Sequence, residues 1–234
     1  MQIRRLSRSL GLVAALSSGA GAASALTVPF TEDFTSGVAG WRNGANTADL
    51  SHVASGGPDG GAYASGTFNY FGFVPPVPGA GPVTFRGQDE FSFSGLSFVG
   101  NWITGGVEEL SVWVRQNTSE TLTYFMRVAS SFNFPGAVIL STTPVLPNTW
   151  TLVTFDIDPS NPLCFGEGVT CAQALANVAH LQFGTSAPAA LTGLDQAFTL
   201  EIDKIQLVPE PGTTLLFASG LAGIAWFGAR RRTS

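Results

Sequence analysis

Apolar and polar residues alternate one for one along Leu110-Ser111-Val112-Trp113-Val114-Arg115, along Leu122-Thr123-Tyr124-Phe125-Met126-Arg127-Val128, and along Phe198-Thr199-Leu200-Glu201-Ile202-Asp203. A period of two puts successive side chains on opposite faces of an extended chain. Each segment therefore has one apolar and one mixed face, as a strand covered on one side requires. Residues 62–68, 83–86, 91–98, 138–141, 150–157 and 178–183 are further strand candidates, separated by clusters of Gly, Pro, Asn and Ser. Only 171–179 has a helical pattern, and it is short. Many short strands with no intervening helices predict an all-β antiparallel fold, a sandwich in preference to a barrel.

The two ends follow a different rule. Arg4, Arg5 and Arg8 precede the apolar run Leu10 to Leu16, and Ala23-Ser24-Ala25 offers a small-x-small cleavage pattern. That order predicts a signal peptide over 1–25, read by the general secretion machinery since most of a twin-arginine context is missing. At the other end, Val208-Pro209-Glu210-Pro211 precedes the charge-free stretch 213–229 and then Arg230-Arg231-Arg232. Seventeen residues at ~1.5 Å rise span about 25 Å, just enough to cross a hydrocarbon core of ~30 Å as a transmembrane helix. By the positive-inside rule the arginines stay cytoplasmic, which leaves the body, 26–207, on the far side of the membrane.

The tail over 208–234 resembles the PEP-CTERM signal of bacterial exported proteins, which joins a Pro-Glu-Pro motif, a short transmembrane helix and a basic end. The resemblance implies anchoring in the membrane before processing and recognition by an exosortase-type membrane protease. Release or transfer to the cell surface or extracellular matrix would follow. A plain C-terminal anchor is the alternative, but a rigid Pro-x-Pro segment outside the membrane has no anchoring role of its own.

Without the two ends the body keeps Arg42, Arg86, Arg115, Arg127 and Lys204 as its basic residues. Five against all sixteen acids, with Glu210 counted, leaves a charge of −11. Such an acidic body argues against nucleic-acid binding and against docking on an anionic membrane.

Gly40-Trp41, the run Gly56-Gly57-Pro58-Asp59-Gly60-Gly61-Ala62-Tyr63, Trp150-x-x-Val153-x-Phe155-Asp156 and the closing Ile202-Asp203-Lys204-Ile205-Gln206-Leu207 resemble the jelly-roll, galactose-binding-like modules of secreted bacterial proteins. That architecture hosts carbohydrate-binding modules, calcium-stabilised adhesion modules and domains without a known ligand, so it carries fold better than function. The resemblance also implies a structural calcium where the first strand, a Gly-rich loop and the last strand meet. Glu32, Asp33, Asp59 and Asp203 are the matching carboxylates, and hard oxygen ligands suit that ion. No other cofactor is expected.

Cys164 and Cys171 are the only cysteines, seven positions apart in an exported chain, which predicts a disulfide with free thiols as the alternative. A thiolate metal site would need further ligands, and only His52 and His180 exist. His180 alternates with Leu181 and is expected to face outward. No nucleophile elbow or zinc-protease motif is present, and the single lysine, Lys204, excludes a phosphate loop. The carboxylate pairs Glu32-Asp33, Asp89-Glu90, Glu108-Glu109 and Asp156-x-Asp158 leave a glycosidase open, although solvated loop charges on an acidic protein account for them better.

Two features could bind sugar. If the strands on either side of Gln116-Asn117-Thr118-Ser119-Glu120 pair as a hairpin, Trp113, Arg115, Phe125 and Arg127 share one face, while Leu110, Val112, Val114, Leu122, Tyr124 and Met126 take the core face. An aromatic and cationic platform suits a glycan, and ordinary cation–aromatic packing is its alternative. The second feature is the aromatic loop Phe68-Asn69-Tyr70-Phe71-Gly72-Phe73-Val74-Pro75-Pro76, which could equally fold back over the core. Together the sequence predicts an exported, non-enzymatic cell-surface or matrix protein with a structural role. Polysaccharide binding is the alternative and hydrolysis a third reading.

Overall fold

A computed structural model describes residues 26–74 and 81–209. The signal peptide expected over 1–25, Pro75 and Pro76 of the aromatic loop, and the tail from Glu210 through Pro211, 213–229 and Arg230, Arg231 and Arg232 lie outside the described residues. Among the described residues no helix is long and apolar enough to cross a membrane.

The chain runs through β1 (Phe30–Glu32), β2 (Arg42–Asn43), β3 (Ser51–Val53), β4 (Tyr63–Asn69) and β5 (Val83–Gln88), then two short 3-10 turns at Asp89–Phe91 and Phe93–Leu96. It continues with β6 (Val107–Gln116), β7 (Tyr124–Ala129), β8 (Gly136–Leu140), β9 (Thr151–Asp156), β10 (Cys164–Glu167), α1 (Cys171–Leu175), β11 (His180–Thr185), α2 (Ala189–Thr192) and β12 (Ala197–Pro209). One sheet has the order β3-β4-β12-β6-β9 with β1 also on β12, and the other β10-β8-β7-β11-β5-β2. Every ladder is antiparallel, and the chain crosses repeatedly between the sheets. The expected jelly-roll-like β-sandwich is the fold of this protein.

Alternation fixes the inner faces. Leu110, Val112 and Val114 of β6 and Leu200, Ile202, Ile205 and Leu207 of β12 share a buried core with Tyr124, Met126 and Val128 of β7 and Leu181 and Phe183 of β11. Burying branched and aromatic side chains between two sheets is the main term stabilising such a fold. Trp41 closes one end. Its indole stacks on Phe183 at 5.8 Å, meets Phe93 edge-on at 5.4 Å, and donates Nε1–H to Ser94 Oγ at 2.9 Å. Truncating so large a buried side chain to Ala costs about 3–5 kcal/mol.

Two expectations fail on backbone grounds. The strand expected over 91–98 is a pair of tight turns, because Ser92, Ser94, Gly95 and Leu96 all adopt left-handed φ values of 46–67°. These turns bring Phe93 and Phe98 into a stack at 5.8 Å beneath Trp41. The hairpin expected around Gln116 is a crossover, for β6 and β7 lie in opposite sheets. Gln116 ties that connection down, donating Nε2–H to the carbonyls of Glu120 and Val145 and accepting from the Thr118 amide. The helix is also shorter than 171–179; it ends at Leu175 and is opened by a capping box between Thr170 and Gln173. Within the aromatic loop Tyr70 is fully buried and bonds Thr185 Oγ1 at 2.6 Å, whereas Phe71 is exposed.

Candidate functional site

The last strand creates a notch. On the edge of β12 away from β6, β4 pairs with residues 197–202 and β1 with 205–207, so neither neighbour covers Asp203 and Lys204. On the other edge Trp113 opposes Asp203 and Ser111 opposes Gln206, which leaves one extra residue on β12. That bulge places Lys204 at φ +45°, a costly conformation for a residue with a Cβ. Its effect is to aim both Asp203 and Lys204 at the outer surface of the sheet.

A cleft of about 380 Å³ opens there. Half-buried Trp113 and the more exposed Leu152 provide apolar wall, Thr31, Ser111 and Gln206 provide hydroxyl and amide groups, and Asp33, Asp59, Asp203 and Lys204 bring the charge. Lys204 Nζ lies 2.6 Å from Asp59 Oδ2. The Asp59 carboxyl also accepts the Gly61 amide at 3.0 Å, and chiefly the Lys204 contact holds its pKa below the ordinary value.

Asp203 differs from its neighbours. Its Oδ1 accepts the Lys204 amide at 2.7 Å, but its Oδ2 is buried and has no hydrogen-bond partner among the described residues. Burial, reinforced by the charges of Asp59 and Asp33, pushes its pKa up to about 6. The Gly-rich loop packs down on this group. A Cβ on Gly57 would come 2.8 Å from Asp203 Oδ2 and 3.0 Å from the Gly61 carbonyl, so only glycine allows so close an approach.

Of the four carboxylates expected around calcium, Asp33, Asp59 and Asp203 share this cleft. Glu32 is engaged beside it, where its Oε1 accepts the Phe34 amide at 3.0 Å. The orphaned oxygen of Asp203 fits a cation ligand, whereas the Lys204 ammonium already neutralises part of the charge.

The four residues expected to form one glycan platform are divided between the sheets, because the hairpin that would unite them does not form. Trp113 and Arg115 stand on the outer face of β6. Arg115 pairs with Glu201, donates to the Tyr63 hydroxyl at 3.2 Å and lies over the Trp150 ring at 4.7 Å. Phe125 and Arg127 stand on the outer face of the other sheet. Phe125 is buried over Gly184, whose missing Cβ would lie 2.1 Å from its ring. Arg127 bonds Glu167 at 2.7 Å and the Asn133 side chain at 2.9 Å.

Lys204, Leu152 and Gln206 were not singled out as binding residues from the sequence. One signal was available. The apolar phase runs Leu200, Ile202 and then Ile205, Leu207, and that one-residue slip marks the bulge that turns Lys204 outward. Cys164 and Cys171 form the expected disulfide, joining β10 to the start of α1. His180 points away from the core as expected, yet it is only 1% exposed because neighbouring loops cover it.

The tail supplies the decisive comparison, since residues 207–232 match the family model described as "PEP-CTERM protein-sorting motif". The chain carries a PEP-CTERM sorting motif. A chain bearing the PEP-CTERM motif is an exported protein. No curated protein matches the sequence. Among solved structures, the chain is similar to a family 11 carbohydrate-binding module from Clostridium thermocellum in complex with a mixed-linked tetrasaccharide. The identity is 12%, the TM-score 0.47, and the coverage 77% of this chain and 95% of that one. It is also similar to the CBM22-1–GH10 modules of xylanase 10B from the same organism, complexed with xylohexaose, at 16% identity and TM-score 0.45. That match covers 77% of this chain but only 28% of the xylanase chain. A putative glycoside hydrolase from Bacteroides thetaiotaomicron is similar at 11% identity and TM-score 0.36, covering 73% of this chain and 63% of that one.

Proposed function

We propose that the exported body is a non-catalytic polysaccharide-recognising module of the cell surface or extracellular matrix, with the cleft beside Trp113 as its sugar site. The observation that carries this reading is a half-buried indole on a pleated, open face, flanked by hydroxyl, amide and carboxylate groups. An aromatic face packs against the C–H face of a pyranose while polar neighbours bond its hydroxyls. Before delivery, 213–229 and Arg230, Arg231 and Arg232 hold the precursor in the membrane until an exosortase-type protease reads Pro209-Glu210-Pro211.

The raised pKa of Asp203 is what a glycosidase acid needs. Its unpartnered oxygen is buried under Gly57, however, where a bare cation fits more readily than a glycosidic oxygen carrying two sugar rings. Calcium enters this reading as a second occupant of the same cleft, held by Asp33, Asp59 and Asp203 once Lys204 turns aside. A calcium titration followed by thermal unfolding tests that point, and an unchanged melting temperature rejects it.

The sugar site is tested by retention of the exported protein on a glycan array and in affinity electrophoresis. Trp113→Ala should weaken binding about tenfold or more, equivalent to ~1.4 kcal/mol or above, and Trp113→Phe should retain most of it. An array without any retained glycan, or one indifferent to Trp113, leaves a ligand-free structural component as the better reading.

A further inference from the structure

We propose that Asp89, Glu90 and His180 form a binding site for a divalent transition-metal ion of the zinc class, on the opposite sheet from the Trp113 cleft. His180 opens β11 directly across the ladder from Gln88, the last residue of β5. The chain then turns at once through Asp89–Phe91, which folds two carboxylates back over the imidazole. His180 Nε2 lies 3.1 Å from Asp89 Oδ1 and 2.9 Å from Glu90 Oε2.

The other ring nitrogen decides what Nε2 can be. His180 Nδ1 lies 3.4 Å from Asn133 Oδ1. That oxygen also accepts Arg127 Nη1 at 2.9 Å and Gln182 Nε2 at 2.7 Å, so it is fixed as an acceptor. With Nδ1–H donated to that oxygen, Nε2 offers its lone pair to a cation held between it and the two carboxylate oxygens. The imidazole nitrogen and the two carboxylate oxygens lie close enough together to share one ion. An imidazole whose far N–H is held by an oxygen while its near nitrogen meets carboxylates is the arrangement that orients a histidine ligand.

The residue that precedes the two carboxylates adds a further polar group. Gln88 Oε1 is buried and has no partner among the described residues, and the Gln88 amide already touches the cluster through Nε2–H donated to Glu90 Oε1 at 3.0 Å. One imidazole nitrogen with two carboxylates gives a donor set of charge −2. The nitrogen favours zinc over calcium or magnesium. The Glu90 side chain is 46% exposed, so an ion reaches the site from solvent and keeps a water-filled position. Such an ion would tie the turn after β5 to β11.

The test is isothermal titration of the exported protein, freed of metal by a chelator, with zinc chloride and separately with calcium chloride. One equivalent of zinc should bind, calcium should not compete, and Glu90→Gln should weaken zinc binding about tenfold to a hundredfold. Glu90 is exposed enough that this variant folds. Asp203→Asn, in the other cleft, should leave zinc binding unchanged. Cobalt substitution should give a visible absorption band that is lost in His180→Gln. An absence of saturable zinc binding, or zinc binding indifferent to Glu90→Gln, overturns the proposal and leaves a histidine hydrogen-bonded to two carboxylates.

Discussion

Trp113 and Asp203 face one another across the β6–β12 ladder, an aromatic ring and a buried, half-satisfied carboxylate on the same outer surface. The carboxylate pKa stands at about 6 against an ordinary 3.8, so the folded protein holds that proton more tightly than the unfolded chain does. The stability contributed by the proton is fully present below pH ~4 and is lost as the pH rises through ~6. Asp203→Asn should therefore raise stability at pH 7.5 by on the order of 2 kcal/mol and change it little at pH 4. Urea unfolding at both values measures this. Equal effects at the two pH values would show that packing, not charge, sets the cost.

Arg115 belongs to a structural cluster outside the cleft. Its guanidinium ties Glu201, Tyr63 and Trp150 together, and Trp150 Nε1 in turn donates to the Gly56 carbonyl at 2.9 Å. Arg115→Met should cost about 1–2 kcal/mol by denaturant titration, since it removes the cation that pairs with Glu201 and covers the Trp150 ring. Glycan retention should be unchanged. A loss of retention at full stability would move the sugar site toward Trp150.

The Cys164–Cys171 bridge closes a loop with a sequence separation of seven residues. Cross-linking so short a segment restrains the unfolded chain by about 2–3 kcal/mol in the chain-entropy picture. The double variant Cys164→Ser, Cys171→Ser should unfold earlier by that amount in non-reducing buffer, and reductant should lower the wild type to the same level. No difference between variant and wild type would mean that the loop is ordered without the bond.

Glu210→Ala leaves the apolar span untouched and alters only the sorting motif. The precursor should still insert and then accumulate unprocessed in the membrane fraction, as fractionation and mass measurement would reveal. Neutralising Arg230, Arg231 and Arg232 should instead disturb topology. If the Glu210→Ala protein is trimmed and released like wild type, the motif is not what the protease reads.

Period-two patterning located the inner faces correctly, because burial enforces it residue by residue. Leu110, Val112 and Val114 on β6 and Tyr124 and Met126 on β7 are all in the core. The same pattern carries no record of which strand lies beside which. Leu122 and Thr123 continue the alternation ahead of β7, so the connection reads as a hairpin although it crosses between sheets. Left-handed backbone at Ser92, Ser94 and Leu96 was hidden for a related reason, since none of these residues signals positive φ as glycine does. The cleft was half legible. Its acids and Trp113 were visible as chemistry, whereas their meeting depends on where β1 stops and β4 starts along β12.

The long last strand also has a mechanical meaning. β12 is held along one edge by β6 and along the other by β4 and β1, and its final residue, Pro209, is the first proline of the sorting motif. A pull applied to the end of β12 along its axis loads that strand lengthwise. The ladder bonds run across this axis, so the load is shared among them and they cannot be peeled open one at a time. A domain loaded in this way resists the force as a unit.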